Sequence, residues 1–315
     1  MTETAYVTTT RTVSSSTTSW PSAADAATSG APVPPASSPV SSSSSSTTAN
    51  TYVSSTYASS AEASASPAAY PWVRDSYYNA GTGEADNIIF TNHLGGTNGS
   101  GTWDSCFGNS LSYANTDGAT AAAIPQVLGN VQIASDQEVV LFTSSNCGGS
   151  CGYVRSGTPA YYGFDTSSDT IFLFEFTMPH DGNTGFNGDM PAVWMLNAQI
   201  PRTLQYGSPS CSCWTSGCGE FDIFEVLSTG CDYLTTTLHS YQGTGTQYGG
   251  GGSSDYIARP TSSPMQAAVI FCADSQTLNI IALGTSGAFA DGLTQAQVDQ
   301  WLATSGASVN IASGN

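Results

Sequence analysis

Cys218-Gly219-Glu220-Phe221-Asp222-Ile223-Phe224-Glu225-Val226-Leu227 sets three carboxylates among aromatic and aliphatic residues in one short run. A strand turns successive side chains to opposite faces, so Glu220 and Asp222 share one face while Phe221 and Ile223 share the other. Glu225 has the wrong parity. It rejoins the acidic face if a β-bulge at Ile223-Phe224 absorbs one residue, and bulges occur where a strand re-aims a side chain beside a reactive site. The flanking apolar residues predict a central, buried strand and weigh against a merely solvated acidic face. A set of oxygen ligands for calcium is the other dull reading.

With the bulge, the Cα atoms of Glu220 and Glu225 lie roughly 13 Å apart along the strand. Side chains leaning inward over a concave sheet would bring the carboxyls to about 5–6 Å, near the spacing of a retaining glycosidase and short of the ~6.5–9.5 Å of an inverting one. One glutamate would be ionised for attack and the other protonated for the leaving oxygen. Three carboxyls this close cannot all ionise normally, so their titration belongs to the group, with Asp222 holding the nucleophile by a hydrogen bond and sharing the proton.

Composition narrows the substrate. The chain of 315 residues carries 23 acids against five arginines and no lysine, for a formal charge of -18, yet only 9% of its residues are charged. So few cations cannot neutralise phosphates in series or grip an anionic membrane, which excludes nucleic acid and membrane surfaces as partners. Hydroxyls, amides and backbone must supply the polar surface, and such a surface suits a neutral sugar polymer. No apolar run is long enough to span a bilayer, so no membrane insertion is expected. Met1–Arg11 lacks the apolar centre of a signal peptide, so the chain reads as a processed or truncated product.

Residues 1–67 are rich in Ser, Thr, Pro and Ala, with six serines at Ser41–Ser46, and read as a disordered stalk, O-glycosylated or a plain linker. Residues 68–315 hold every cysteine and read as one all-β domain. Eight short β-type runs are predicted at Asn87–Thr91, Glu138–Thr143, Thr170–Met178, Pro191–Leu196, Glu220–Leu227, Leu234–Tyr241, Ala267–Ala273 and Leu278–Leu283, which implies an antiparallel sandwich or barrel. One helix is predicted over Thr294–Thr304, with Thr294 as N-cap and Val298, Trp301 and Leu302 on its buried face. The glycine-rich stretch Tyr248–Pro264 reads as a loop, either a lid or a mobile surface segment. Eight cysteines predict disulfides in an oxidising compartment, with Cys147–Cys151 able to close on itself and Cys231 a partner for the cluster Cys211, Cys213 and Cys218. Asn98-Gly99-Ser100 is an N-glycosylation triplet.

The acidic strand resembles the E-x-D-x-(x)-E signature of glycoside hydrolase family 16 in its bulged form, and Gly188–Leu196 resembles that family's strand whose tryptophan lines the cleft. More closely, Met190–Leu196, IPRTLQYG (Ile200–Gly207), CSCWTSGCGEFDIFE (Cys211–Glu225), LHSYQG (Leu238–Gly243), YGGGGSSDYIARPT (Tyr248–Thr261) and AAVIFCAD (Ala267–Asp274) are similar to the C-terminal domain of the fungal target-of-SBF cell-wall proteins, which are glycosyl hydrolase-like. The resemblance implies a concanavalin A-like β-jelly roll secreted to the fungal wall. It further implies Glu220 as nucleophile, Asp222 as its assistant, Glu225 as general acid/base, and β-glucan, above all the β-1,3-linked polymer, as substrate. Glucan transfer by the same acids and non-catalytic glucan binding are the competing functions. A monomer with neither cofactor nor metal is expected.

Sugar rings present apolar C–H faces to aromatics, so a glucan cleft needs stacking platforms. Trp194 and Trp214 are the candidates, each with a core or loop position as the alternative. His239 is either a ligand for a substrate hydroxyl or a structural histidine. Arg202 orients an acid or a sugar, or else forms a structural ion pair.

Overall fold

The computed structural model describes residues 6–12, 71–206, 208, 211, 219–240, 249–284, 289, 291–304 and 306–310. Strands follow in chain order as β1 (Tyr6–Thr12), β2 (Trp72–Asn79), β3 (Glu84–Asp86), β4 (Ile89–Asn92), β5 (Trp103–Asp104), β6 (Gly108–Asn109), β7 (Ser112–Ala114), β8 (Ala121–Ala122), β9 (Val140–Phe142) and β10 (Thr170–Phe176). Then come β11 (Ala192–Leu196), helix α1 (Gln199–Thr203), β12 (Glu220–Glu225), β13 (Tyr233–Ser240), β14 (Gly249–Ala258), β15 (Met265–Cys272), β16 (Thr277–Ala282), β17 (Gly292–Leu293), helix α2 (Gln295–Leu302) and β18 (Ala307–Asn310). Every strand pairing among the described residues is antiparallel.

The largest sheet has the order β17-β2-β1-β10-β15-β16-β18, with β3 on β2, and a four-stranded sheet runs β11-β12-β13-β14. Alternation along β10 explains how the large sheet is covered on both sides. Phe172, Phe174 and Phe176 point to a core shared with Phe221, Ile223 and Phe224 of β12 and Leu234 of β13. Ile171 and Leu173 point the other way, to Trp72, Leu293 and the α2 residues Val298 and Trp301. Two apolar faces on one strand make β10 a run of hydrophobics rather than an alternating one, as a strand buried on both sides requires. A further four-stranded sheet, β8-β7-β4-β9, has its own core around Phe90 and Tyr78.

All eight predicted runs contain strands, and α2 begins as expected. The Thr294 side chain accepts from the Gln297 amide and the Gln297 side chain returns to the Thr294 backbone, closing a capping box. Two expectations need correction. Tyr6–Thr12, counted within the stalk, is a strand between β2 and β10; its β-branched residues were hidden by the Ser/Thr average of the longer segment. Gly249–Ala258, read as a loop, is β14, paired along β13 from Tyr233 to Ser240. Neighbouring backbone overrides the low strand propensity of its glycines. The remainder of the stalk lies outside the described residues.

Cys147 bonds Cys151, as its spacing allowed, while Cys211 bonds Cys106. Cys231 is a free thiol rather than a partner of the Cys211 cluster; Cys213 and Cys218 lie outside the described residues. A buried ion pair, extended to the surface by a histidine, fastens the far end of the acidic strand. Arg259 Nη2 donates to Asp189 Oδ1 at 2.5 Å and to the Pro179 carbonyl, and its Nε donates to the Met178 carbonyl. His180 bridges Asp189 at 2.7 Å and Asp232 at 3.0 Å, so the approach to β11 and the β12–β13 turn are tied together.

Phe224 is fully buried and meets Phe174 edge-on and Phe176 at a tilt. Phe224→Ala should therefore destabilise the fold by about 3–5 kcal/mol, whereas Thr294→Ala, which removes only the α2 cap, should cost about 1 kcal/mol. Urea midpoints of the two variants give the comparison.

Candidate active site

The bulge lies where the parity of the acidic run requires it. Against β11, Val193 faces Phe224 and Trp194 faces Asp222, so Ile223 is the extra residue; against β13, Asp222 faces Thr237 and Glu225 faces Thr235. Thr236 Oγ1 donates to the freed Ile223 carbonyl at 2.7 Å, which satisfies a buried acceptor the ladder leaves open. Ile223 and Phe224 can then both enter the core while Glu225 returns to the face of Glu220 and Asp222.

Register places other candidates on that face. Directly opposed residues of an antiparallel pair project to the same side, so Trp194 stands beside Asp222, and His239 beside Glu220. His239 Nε2 lies 3.1 Å from Asp222 Oδ2. Beyond His239 and Thr237 on β14 come Gly250 and Gly252, which set no side chain beside the row. Arg202 is buried, and its Nη1 donates to the Cys151 carbonyl at 2.5 Å, which anchors α1 to the disulfide loop. Trp214 lies outside the described residues.

Burial, then the charges of Glu225 and Glu220, and then a hydrogen bond to Glu220, push the Asp222 carboxyl up to about 8. Asp222 is therefore protonated at neutral pH. Its proton can be donated to Glu220, the hydrogen-bond partner that helps to hold it. Glu225 is also raised, by burial first and by Glu220 second, with His239 opposing. Glu220, Asp222 and His239 could each offer one ligand atom to a metal ion, within 4.8 Å of one another; an ion there would compete with the proton that Asp222 holds.

The face extends past the residues that the sequence marked. The charge of Glu220 is felt by Glu138, just before β9, and by Tyr206, just after α1. Neither belongs to a motif with recognisable spacing. The only hint was that Gln205 and Tyr206 fall within the run IPRTLQYG.

A sign follows for pH. Folded Asp222 holds its proton to about 8, whereas an unfolded aspartate loses it near 3.9. The stability this contributes is complete below about pH 4 and is lost as pH rises towards the folded value. Asp222→Asn cannot titrate, so it should become progressively more stable relative to wild type between pH 5 and pH 8 in urea unfolding. A stability difference that stays constant across that range would contradict the assignment.

Residues 70–301 match the family model described as cell wall protein YJL171C/Tos1, C-terminal. A Schizosaccharomyces pombe protein named "Probable circularly permuted 1,3-beta-glucanase" is 52% identical over 244 residues, covering 77% of this chain and 48% of its own length. Proteins of Saccharomyces cerevisiae and Candida albicans, each named "Probable circularly permuted 1,3-beta-glucanase TOS1", are both 48% identical, covering 76% of this chain and 51% of their own. The chain thus spans about half the length of the curated relatives it matches. No solved structure matches it. With more than two thirds of its residues under one family model, the chain belongs to the fungal cell-wall family of YJL171C/Tos1.

Proposed function

We propose that the chain is a retaining endo-β-1,3-glucanase of the fungal cell wall. The observation that carries this reading is that Glu220 and Glu225 share one face on either side of Asp222, whose carboxyl is pushed up by burial and by the two glutamates. The relatives' names supply the substrate class, and the low share of charged residues, 9%, suits a neutral polymer.

In the first step a Glu220 oxygen attacks the anomeric carbon. The bond to the leaving glucan oxygen breaks, and the proton of Glu225 passes to that oxygen. Asp222 donates its hydrogen bond to Glu220 and orients it without adding a second negative charge. Formation of the glycosyl ester removes the charge of Glu220, which is one of the influences holding the Glu225 pKa up. Glu225 then becomes the stronger acid, its conjugate base accepts a proton from water, and the resulting attack releases the sugar with its configuration retained. Trp194, beside Asp222, is the proposed stacking platform, and His239 both orients Asp222 and lies within reach of a substrate hydroxyl.

The test is incubation of the full chain with β-1,3-gluco-oligosaccharides, following the anomeric protons by NMR. The first product should be the β-anomer. Glu225→Gln should reduce kcat by about 10²–10⁴, and Glu220→Gln should abolish turnover while leaving oligosaccharide binding measurable. Wild type that binds the oligosaccharides but cleaves or rearranges none would make this a glucan-binding protein.

A further inference from the structure

Beside the row, four polar side chains meet in an arrangement that the chemistry of the row does not use. Thr91 of β4 faces Val140 of β9, and continuing that register brings His93 opposite Glu138. Gln205 and Tyr206 arrive from the segment after α1 and take hold of the same carboxylate. Tyr206 Oη donates to Glu138 Oε2 at 2.6 Å, and Gln205 Nε2 donates to Glu138 Oε1 at 3.0 Å. That segment is fixed further on by the Cys106–Cys211 disulfide and by the Ser208 amide on the Cys106 carbonyl.

Three polar atoms of this cluster are buried and find no hydrogen-bond partner among the described residues: Nδ1 and Nε2 of His93, and Oε1 of Gln205. Glu138 does not satisfy His93. The 3.6 Å from Nδ1 to Oε1 is too long for a hydrogen bond, and burial pushes His93 down to about 4, so the ring is neutral and forms no ion pair at neutral pH. A neutral imidazole offers one donor and one acceptor, and the amide oxygen offers an acceptor. Hydroxyl groups, which both donate and accept, complement all three; an anion or a cation does not.

Two further features suit a sugar ring. Tyr206 is 56% exposed although its hydroxyl is turned inward to Glu138, so its orientation is set from behind. Its ring also meets the His93 ring edge-on at 5.4 Å. The position is at the Glu220 end of the row. Leu196, the last residue of β11, faces Glu220, and the Asn197 amide bonds the Gly219 carbonyl, so α1 and the segment carrying Gln205 and Tyr206 leave from that end.

We propose that His93, Glu138, Gln205 and Tyr206 form a glucosyl subsite at the Glu220 end of the carboxylate row. His93 and Gln205 take hydroxyls of one sugar unit, Tyr206 stacks on its C–H face, and Glu138 is the positioning residue that holds Gln205 and Tyr206. The proposal rests on the glucanase reading and adds to it a site that selects for chain length.

The test uses the full chain carrying Glu220→Gln, titrated calorimetrically with β-1,3-gluco-oligosaccharides of two to six units, with cleavage by the Glu220-containing chain followed in parallel. Gln205→Met, close to isosteric but lacking the amide, and Tyr206→Ala should each weaken binding of the longer oligosaccharides by about tenfold, the scale of one lost hydrogen bond or stacked ring. The shortest oligosaccharides, able to bind without reaching the subsite, should lose less, and the cleavage pattern should shift by one unit. Melting temperatures close to the parent's establish that both variants are folded, and Gln205→Met is the decisive one if Tyr206→Ala melts early. Equal binding at every length and unchanged products would overturn the subsite while leaving the glucanase standing, the three atoms then holding structural water. No binding and no cleavage by the parent chains would overturn both.

Discussion

One extra residue in β12 holds this site together. A regular strand would send Glu225 into the core with Phe221 and Ile223 and lift Phe224 out of it, burying an unpaired carboxyl and exposing a large ring. The bulge at Ile223 resolves the conflict locally. It is affordable because its loose carbonyl is taken by the Thr236 hydroxyl and because both Ile223 and Phe224 are fully buried against the aromatic row of β10. Packing on one face thus fixes carboxyl placement on the other.

Electrostatics follows from that placement. Three carboxyls lie on one strand of a chain with only five cations, of which Arg259 pairs with Asp189 and Arg202 donates to the Cys151 carbonyl. Protons are then the cheapest counter-charge, and burial decides which group takes one first. Asp222 is the most enclosed of the three and sits between two glutamates, so its carboxyl is raised furthest. The central group becomes a neutral donor between the outer pair.

Much of this was legible along the chain. The eight strands, the α2 N-cap and the bulge each depend on residues within ten positions of one another, where side-chain period and capping chemistry act directly. The unread parts depend on distant partners. β14 is glycine-rich and becomes a strand through β13, while β1 is Thr-rich and sits between strands 60 and more residues away in sequence. Local propensity carries no information about such pairings. Arg202 looked available because charge is scarce, yet scarcity says nothing about which carbonyl will claim it.

The cluster at His93, Glu138, Gln205 and Tyr206 shows why site residues escape such reading most easily. Glu138 and Tyr206 are 68 residues apart, and the histidine comes from yet another strand. Only the register of β4 on β9, continued beyond the ladder, together with the disulfide-held segment after α1, brings them to one place. A motif records chemistry that one element can carry alone, and the row on β12 is of that kind. A subsite for a neutral sugar is assembled from single polar groups on several elements, so its mark is not a pattern in the sequence. Its mark is buried donors and acceptors that the protein itself leaves unpaired.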